Sequence, residues 1–169
     1  AGGPAGVEAG GGGEAAGGTA EEGSLSMTTR RVDYAVSCRR HWQDANTLLG
    51  QNARPNAGQL FGLSVECGLK AVLIIRRSVE VAADGSIRED LQTHLPRIAQ
   101  QALEMTTLAD SRAGSGLRAA VPSLGKMHDW QVEHRYWRPS EVPLDSLPQW
   151  QAAAREMLNY LDNVISGDL

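Results

Sequence analysis

From about Thr28 onward, apolar residues recur at helical spacing through most of the chain. The strongest run is Asn56 to Arg77, NAGQLFGLSVECGLKAVLIIRR, which contains no Pro. Leu60, Leu63, Cys67, Ala71 and Ile74 form one stripe, and Phe61, Val65, Leu69 and Val72 form a second beside it. A helix apolar over so much of its circumference must be covered on several sides, so this one is expected at the centre of a bundle. One narrow row stays polar: Asn56, Gln59, Glu66, Lys70 and Arg77. Glu66 and Lys70 are four apart with the acid first, the better orientation for a helical ion pair. Gly58, Gly62, Ser64 and Gly68 lower helix propensity, by about 1 kcal/mol per Gly relative to Ala. They imply close approach of a neighbouring helix, in this chain or in a second copy.

The same periodicity predicts three further helices. Helix A spans about Thr28 to Leu49, with Tyr34, Ala35, Cys38, Trp42, Ala45, Leu48 and Leu49 inward. Gly50 to Pro55 ends it, and Asn56 is a suitable N-cap for the central helix B. Helix C spans about Glu89 to Thr107, with Leu91, Leu95, Ile98, Ala102 and Met105 inward; Pro96 falls in its first turn, or the helix starts near Thr93. Ser111 to Gly116 is flexible by composition, and Leu117 to Val121 allows one or two more helical turns. His128 to Pro143 reads as an ordered loop held by Trp130, Tyr136 and Trp137. Helix D covers Leu147 to Ile165, with Ser146 as N-cap and Trp150, Ala153, Ala154, Met157, Leu158, Leu161 and Ile165 inward. No segment alternates over strand length. The expected fold is all-α, a bundle of four to five helices in one domain over 28–169.

Composition changes the picture at the start of the chain. Ala1 to Gly23 is almost wholly Gly, Ala and Glu, so residues 1–27 are expected to be a disordered leader. Met27 before Thr-Thr-Arg-Arg reads equally as an internal translation start and as part of a natural leader. A formal net charge of −4 argues against broad non-specific nucleic-acid binding. Fourteen of the sixteen basic residues are Arg, which leaves local anion-binding patches open. Cys38 and Cys67 lack a Cys-x-x-Cys partner and suit small apolar positions in a reducing, cytoplasmic setting. No continuous run of about eighteen apolar residues suggests a membrane span.

Candidate chemistry is sparse. His41 borders the helix A stripe and reads as a structural histidine, while His94 opens helix C, where it can reach back toward the bundle. No pair of histidines at helical spacing sits beside a carboxylate, so neither a metal site nor a cofactor is expected. A nucleophile elbow and a phosphate-cradling loop are also missing from the sequence. Trp130, Trp137 and Trp150 leave room for a small-molecule pocket between helices.

One constellation carries a resemblance. HWQDANTLL, then NAGQLFGLSVECGLKAVL, then a helix opening HLP, then W-x-V-x-x-RY, resembles the HEPN superfamily, above all bacterial members with a Glu-Cys-x-Leu-Lys second helix. The resemblance covers most of 28–165. It implies a HEPN-like bundle, a homodimer through helix B or D, and work on RNA or nucleotides in bacterial defence or toxin–antitoxin modules. Many such proteins are metal-independent endoribonucleases; others are non-catalytic partners of nucleotidyltransferases. Catalytic members carry Arg, four to six residues, then His, where Arg stabilises phosphate charge and His moves the proton of the attacking 2′-hydroxyl. Here Arg88 and His94 fit that spacing, although in a chain with this many Arg about one such match arises by chance. They also precede helix C, whereas many catalytic members place the pair near the last helix. The site residues implied are Arg88, His94, Glu66 and Lys70 for catalysis, with Arg135 and Tyr136 binding RNA or nucleotide. The competing assignment makes Glu66–Lys70 an ion pair fixing helix register, His94 a cap and Arg135–Tyr136 a loop anchor.

Overall fold

The computed structural model describes residues 2, 30–76, 79–109 and 111–167, with the backbone alone over 106–109 and 111–115. The leader expected over residues 1–27 (apart from Gly2), the Thr28 start of helix A and Arg77 of the polar row lie outside the described residues. Among the described residues five α-helices follow one another: α1 (Tyr34–Gly50), α2 (Arg54–Ile75), α3 (Arg97–Ala109), α4 (Ser111–Ala120) and α5 (Leu147–Ser166). Among the described residues the sole β feature is an isolated antiparallel bridge between Val81 and Ile87. The fold is an all-α bundle, with α2 at its centre between α1 and α5 and with α3 against its side.

Helix starts are set by where backbone N–H groups find acceptors. α1 begins at Tyr34, because Asp33 takes the N-cap position and its carboxylate accepts the Val36 N–H at 2.9 Å. Arg31 and Val32 instead donate to the Asp84 carbonyl at 3.0 and 2.9 Å, so they cannot extend the helix. Asn52, at φ 60°, makes the left-handed turn between α1 and α2, a conformation Asn tolerates. α2 begins at Arg54 with Pro55 in its first turn, and Asn56 is an exposed helical residue, not the cap. α3 starts only at Arg97. Glu89–Leu91 is a single 3₁₀ turn, and Pro96, after a cis Leu95–Pro96 bond, keeps 92–96 non-helical. Residues 111–116, expected to be flexible, form the first turns of α4.

α2 is buried along most of its length. By length and hydropathy alone it could cross a membrane, yet 72% of its most apolar window is covered by the rest of the chain. Both expected stripes face neighbours, and Cys38, Ala45, Leu95, Ile98, Ala102, Trp150, Met157 and Leu161 complete the core. Ile165, assigned to the inward stripe of α5, is exposed, whereas Tyr160 is buried in continuation of the 150–153–157 spacing.

The small residues of α2 admit large side chains from within the same chain. A Cβ on Gly62 would lie 1.9 Å from Trp130 Cε2, and one on Gly58 would lie 2.9 Å from Trp150. On Gly68 it would meet Met157 Cγ at 2.5 Å, while Ser64 Oγ donates to the Cys38 carbonyl at 2.9 Å. Trp130 Nε1 donates to the Gly58 carbonyl at 3.0 Å, and Trp150 Nε1 to Asp129 at 2.9 Å. Ser146 directs its hydroxyl to the other oxygen of Asp129 and makes no cap bond to α5. The segment 122–146 is thus a run of 3₁₀ turns strapped across α2 and α5, held further by Ser123 on Glu156.

Gly62→Ala should therefore destabilise the fold by about 3 kcal/mol or more through overpacking against a buried indole. Gly125→Ala, where nothing lies within 4 Å, should be close to neutral. Urea unfolding of both variants checks the pair, and equal midpoints would contradict the packing.

Candidate functional site

Three of the four expected catalytic residues meet. Glu66 and Lys70 lie one turn apart on α2, 4% and 6% exposed, with Lys70 Nζ 2.8 Å from Glu66 Oε1. His94 reaches the same carboxylate from the segment before α3: its Nδ1 is 2.9 Å from Oε2 and 3.1 Å from Oε1. Buried Leu91 and Leu95 anchor that segment on either side of the ring, and the helix following it takes its first acceptor from the His94 carbonyl. The imidazole side chain remains 49% exposed. A buried carboxylate on Nδ1 orients the ring and directs Nε2 away from Glu66, which is how an acid–base histidine is commonly held.

Charge bookkeeping explains the composition of the cluster. A carboxylate so deeply buried must be paired and hydrogen-bonded. Lys70 supplies the fixed counter-charge, and its ammonium also sits 5.8 Å from the Tyr34 ring centre. The Tyr34 hydroxyl in turn accepts the Ile87 N–H at 3.2 Å, tying α1 to the chain that leads to His94. His41 of α1 feels the same carboxylate: burial and Arg40 lower its pKa, and Asp44 and Glu66 offset part of the effect.

Arg88 does not join the three. Its Nε and Nη2 bind both oxygens of Asp90 at 2.6 and 2.5 Å on the exposed surface, and that hydrogen bonding holds the Asp90 carboxyl below its usual range. Among the described residues no hydrogen bond or ion pair links Arg88 to His94. Arg135 and Tyr136 lie apart from Glu66, stacked on each other with the guanidinium 4.8 Å from the ring centre, and Tyr136 is 75% exposed. Their 3₁₀ turn, Val132–Tyr136, is tied to α2 by Gln59, whose Nε2 donates to the Val132 carbonyl at 3.2 Å. Gln59 and Glu66 are seven residues apart, on one face of α2 and about 10 Å apart along its axis. The polar row thus connects two regions of the same side.

Trp137, expected only as part of an inter-helix pocket with Trp130 and Trp150, is 42% exposed. Trp130 and Trp150 are fully buried core residues. His134, unassigned from sequence, is buried edge-on against Trp137 and tilted against Trp150, and burial lowers its pKa. The thiols are unreactive by environment: burial raises Cys38 and pushes Cys67 up to about 12. Among the described residues no cluster of three His, Cys, Asp or Glu side chains could hold a metal ion.

Two outcomes follow for stability. Lys70→Met leaves Glu66 without its fixed cation and should cost about 3–5 kcal/mol, whereas Glu66→Leu/Lys70→Met should recover most of that loss in urea unfolding. The lowered pKa values of His41 and His134 mean that the folded chain binds fewer protons than the unfolded one just below about pH 6.5. Stability should therefore fall as pH drops from about 6.5 toward those lowered values, and His134→Phe should flatten part of that slope. Comparison with family models, with curated proteins and with solved structures finds no match for this chain, so its own residues carry the functional reading.

Proposed function

We propose that the protein is a HEPN-like, RNA- or nucleotide-associated component of a bacterial defence or toxin–antitoxin module, acting in the cytoplasm as a metal-independent endoribonuclease. The observation that supports this reading is the His94 imidazole held at Nδ1 by buried Glu66 while its ring opens to solvent. In the reaction, His94 Nε2 accepts the proton of an RNA 2′-hydroxyl. The 2′-oxygen bonds to the adjacent phosphorus, the bond from phosphorus to the 5′-oxygen breaks, and the leaving oxygen takes a proton from water. Products are a 2′,3′-cyclic phosphate and a 5′-hydroxyl end. Glu66 and Lys70 are positioning residues behind the ring. An exposed ion pair such as Arg88–Asp90 is weak in water, so a substrate phosphate competes for Arg88 directly. A homodimer in this reading pairs through α5, because α2 is enclosed within its own chain.

A second reading is a non-enzymatic module that neutralises or scaffolds a partner enzyme such as a nucleotidyltransferase. The grip of Asp90 on Arg88 favours it, since the phosphate-stabilising group is then already occupied.

Induced expression separates the two. Under the first reading the wild type arrests growth, His94→Ala abolishes arrest and RNA cleavage by 10²-fold or more, and Asp90→Asn leaves both at or above wild type. Cleavage that persists in His94→Ala, or a wild type that neither arrests growth nor cuts RNA, would sink it.

A further inference from the structure

The segment after His134 builds a second surface that the proposed chemistry does not use. Trp137, Arg138 and Glu141 line an open surface cavity of about 480 Å³. Their arrangement is set by backbone. The Trp137 N–H donates to the His134 carbonyl at 3.1 Å, and the Glu141 N–H donates to the Arg138 carbonyl at 2.9 Å, closing the Pro139–Glu141 turn. Pro139 restricts that turn at its first position. The Trp137 indole packs against the buried His134 ring at 4.6 Å between centres and is 42% exposed.

Each lining group answers a different part of a nucleotide. An exposed indole offers a stacking face for a base. The Arg138 guanidinium suits a phosphate. The carboxylate of Glu141 accepts only, so it favours a base edge that presents two adjacent donors. Guanine does so with N1–H and its exocyclic amino group. Adenine and cytosine each place an acceptor beside their single amino group, and the uracil N3–H lies between two carbonyls. We infer that Trp137, Arg138 and Glu141 form a guanine-nucleotide site, in which guanine stacks on Trp137, its Watson–Crick edge bonds to Glu141 and its phosphate meets Arg138. This inference rests on the RNA or nucleotide reading above and names the base that reading selects.

Calorimetric titration of the full chain with GMP, AMP, CMP and UMP tests it without any cleavage. GMP should bind about tenfold or more tightly than the other three. Glu141→Gln, an exposed substitution, should remove that preference. Trp137→Phe should weaken all four nucleotides together, and Arg138→Gln should weaken GMP more than guanosine. Equal affinity for GMP and AMP, or a preference surviving in Glu141→Gln, overturns the site. Neither result touches the His94 cleavage assay, so loss of this site and loss of the nuclease reading are separately visible.

Discussion

Everything in this molecule follows from the need to cover α2 on all sides. A helix with so little polar surface cannot rest on one neighbour, and its glycines allow neighbours to come closer than ordinary side chains permit. Trp130 from the 3₁₀ strap and Trp150 and Met157 from α5 fill those positions. The strap is consequently a structural wall of the core. The Trp130 indole N–H is satisfied by the Gly58 carbonyl, and the strap's Asp129 accepts the Trp150 indole N–H of α5, which removes the cost of burying them.

The same enclosure shapes the polar cluster. Glu66 is drawn into the interior by its position on α2, and only a partner one turn away and a histidine from outside the helix can satisfy it. Lys70 makes the burial tolerable, while His94 is the one member that reaches solvent. Structural necessity and the proposed catalytic geometry coincide in these three residues, so mutational tests must separate a lost proton-transfer group from a lost ion pair. Glu66→Leu/Lys70→Met is informative for that reason.

The helices and their inward stripes were legible because periodicity reports burial directly: Cys38, Phe61, Val65, Ile98 and Met157 all lie where spacing put them. Helix starts were less legible. Asn56 looked like a cap, yet Pro55 and the Asn52 turn decide the start of α2, and Asp33 outcompetes everything before it for α1. The Glu66–Lys70 pair was readable from its spacing, and the His94 partnership from its place beside Leu95-Pro96. Arg88 was legible only as a spacing match, because a motif records separation along the chain and says nothing of Asp90, the partner two residues away. The strap was readable only as aromatic and irregular, since 3₁₀ turns leave no hydrophobic period to detect.

The fit of Trp130 against Gly62 has a consequence for how this sequence can drift. A side chain at position 62 and an indole at position 130 claim the same space, although 68 positions separate them in the chain. Neither can be replaced alone without a clash or a void, so the two behave as a single choice made twice. Among descendants of this fold, a residue larger than glycine at 62 belongs with a smaller residue at 130, and the pair should be inherited together.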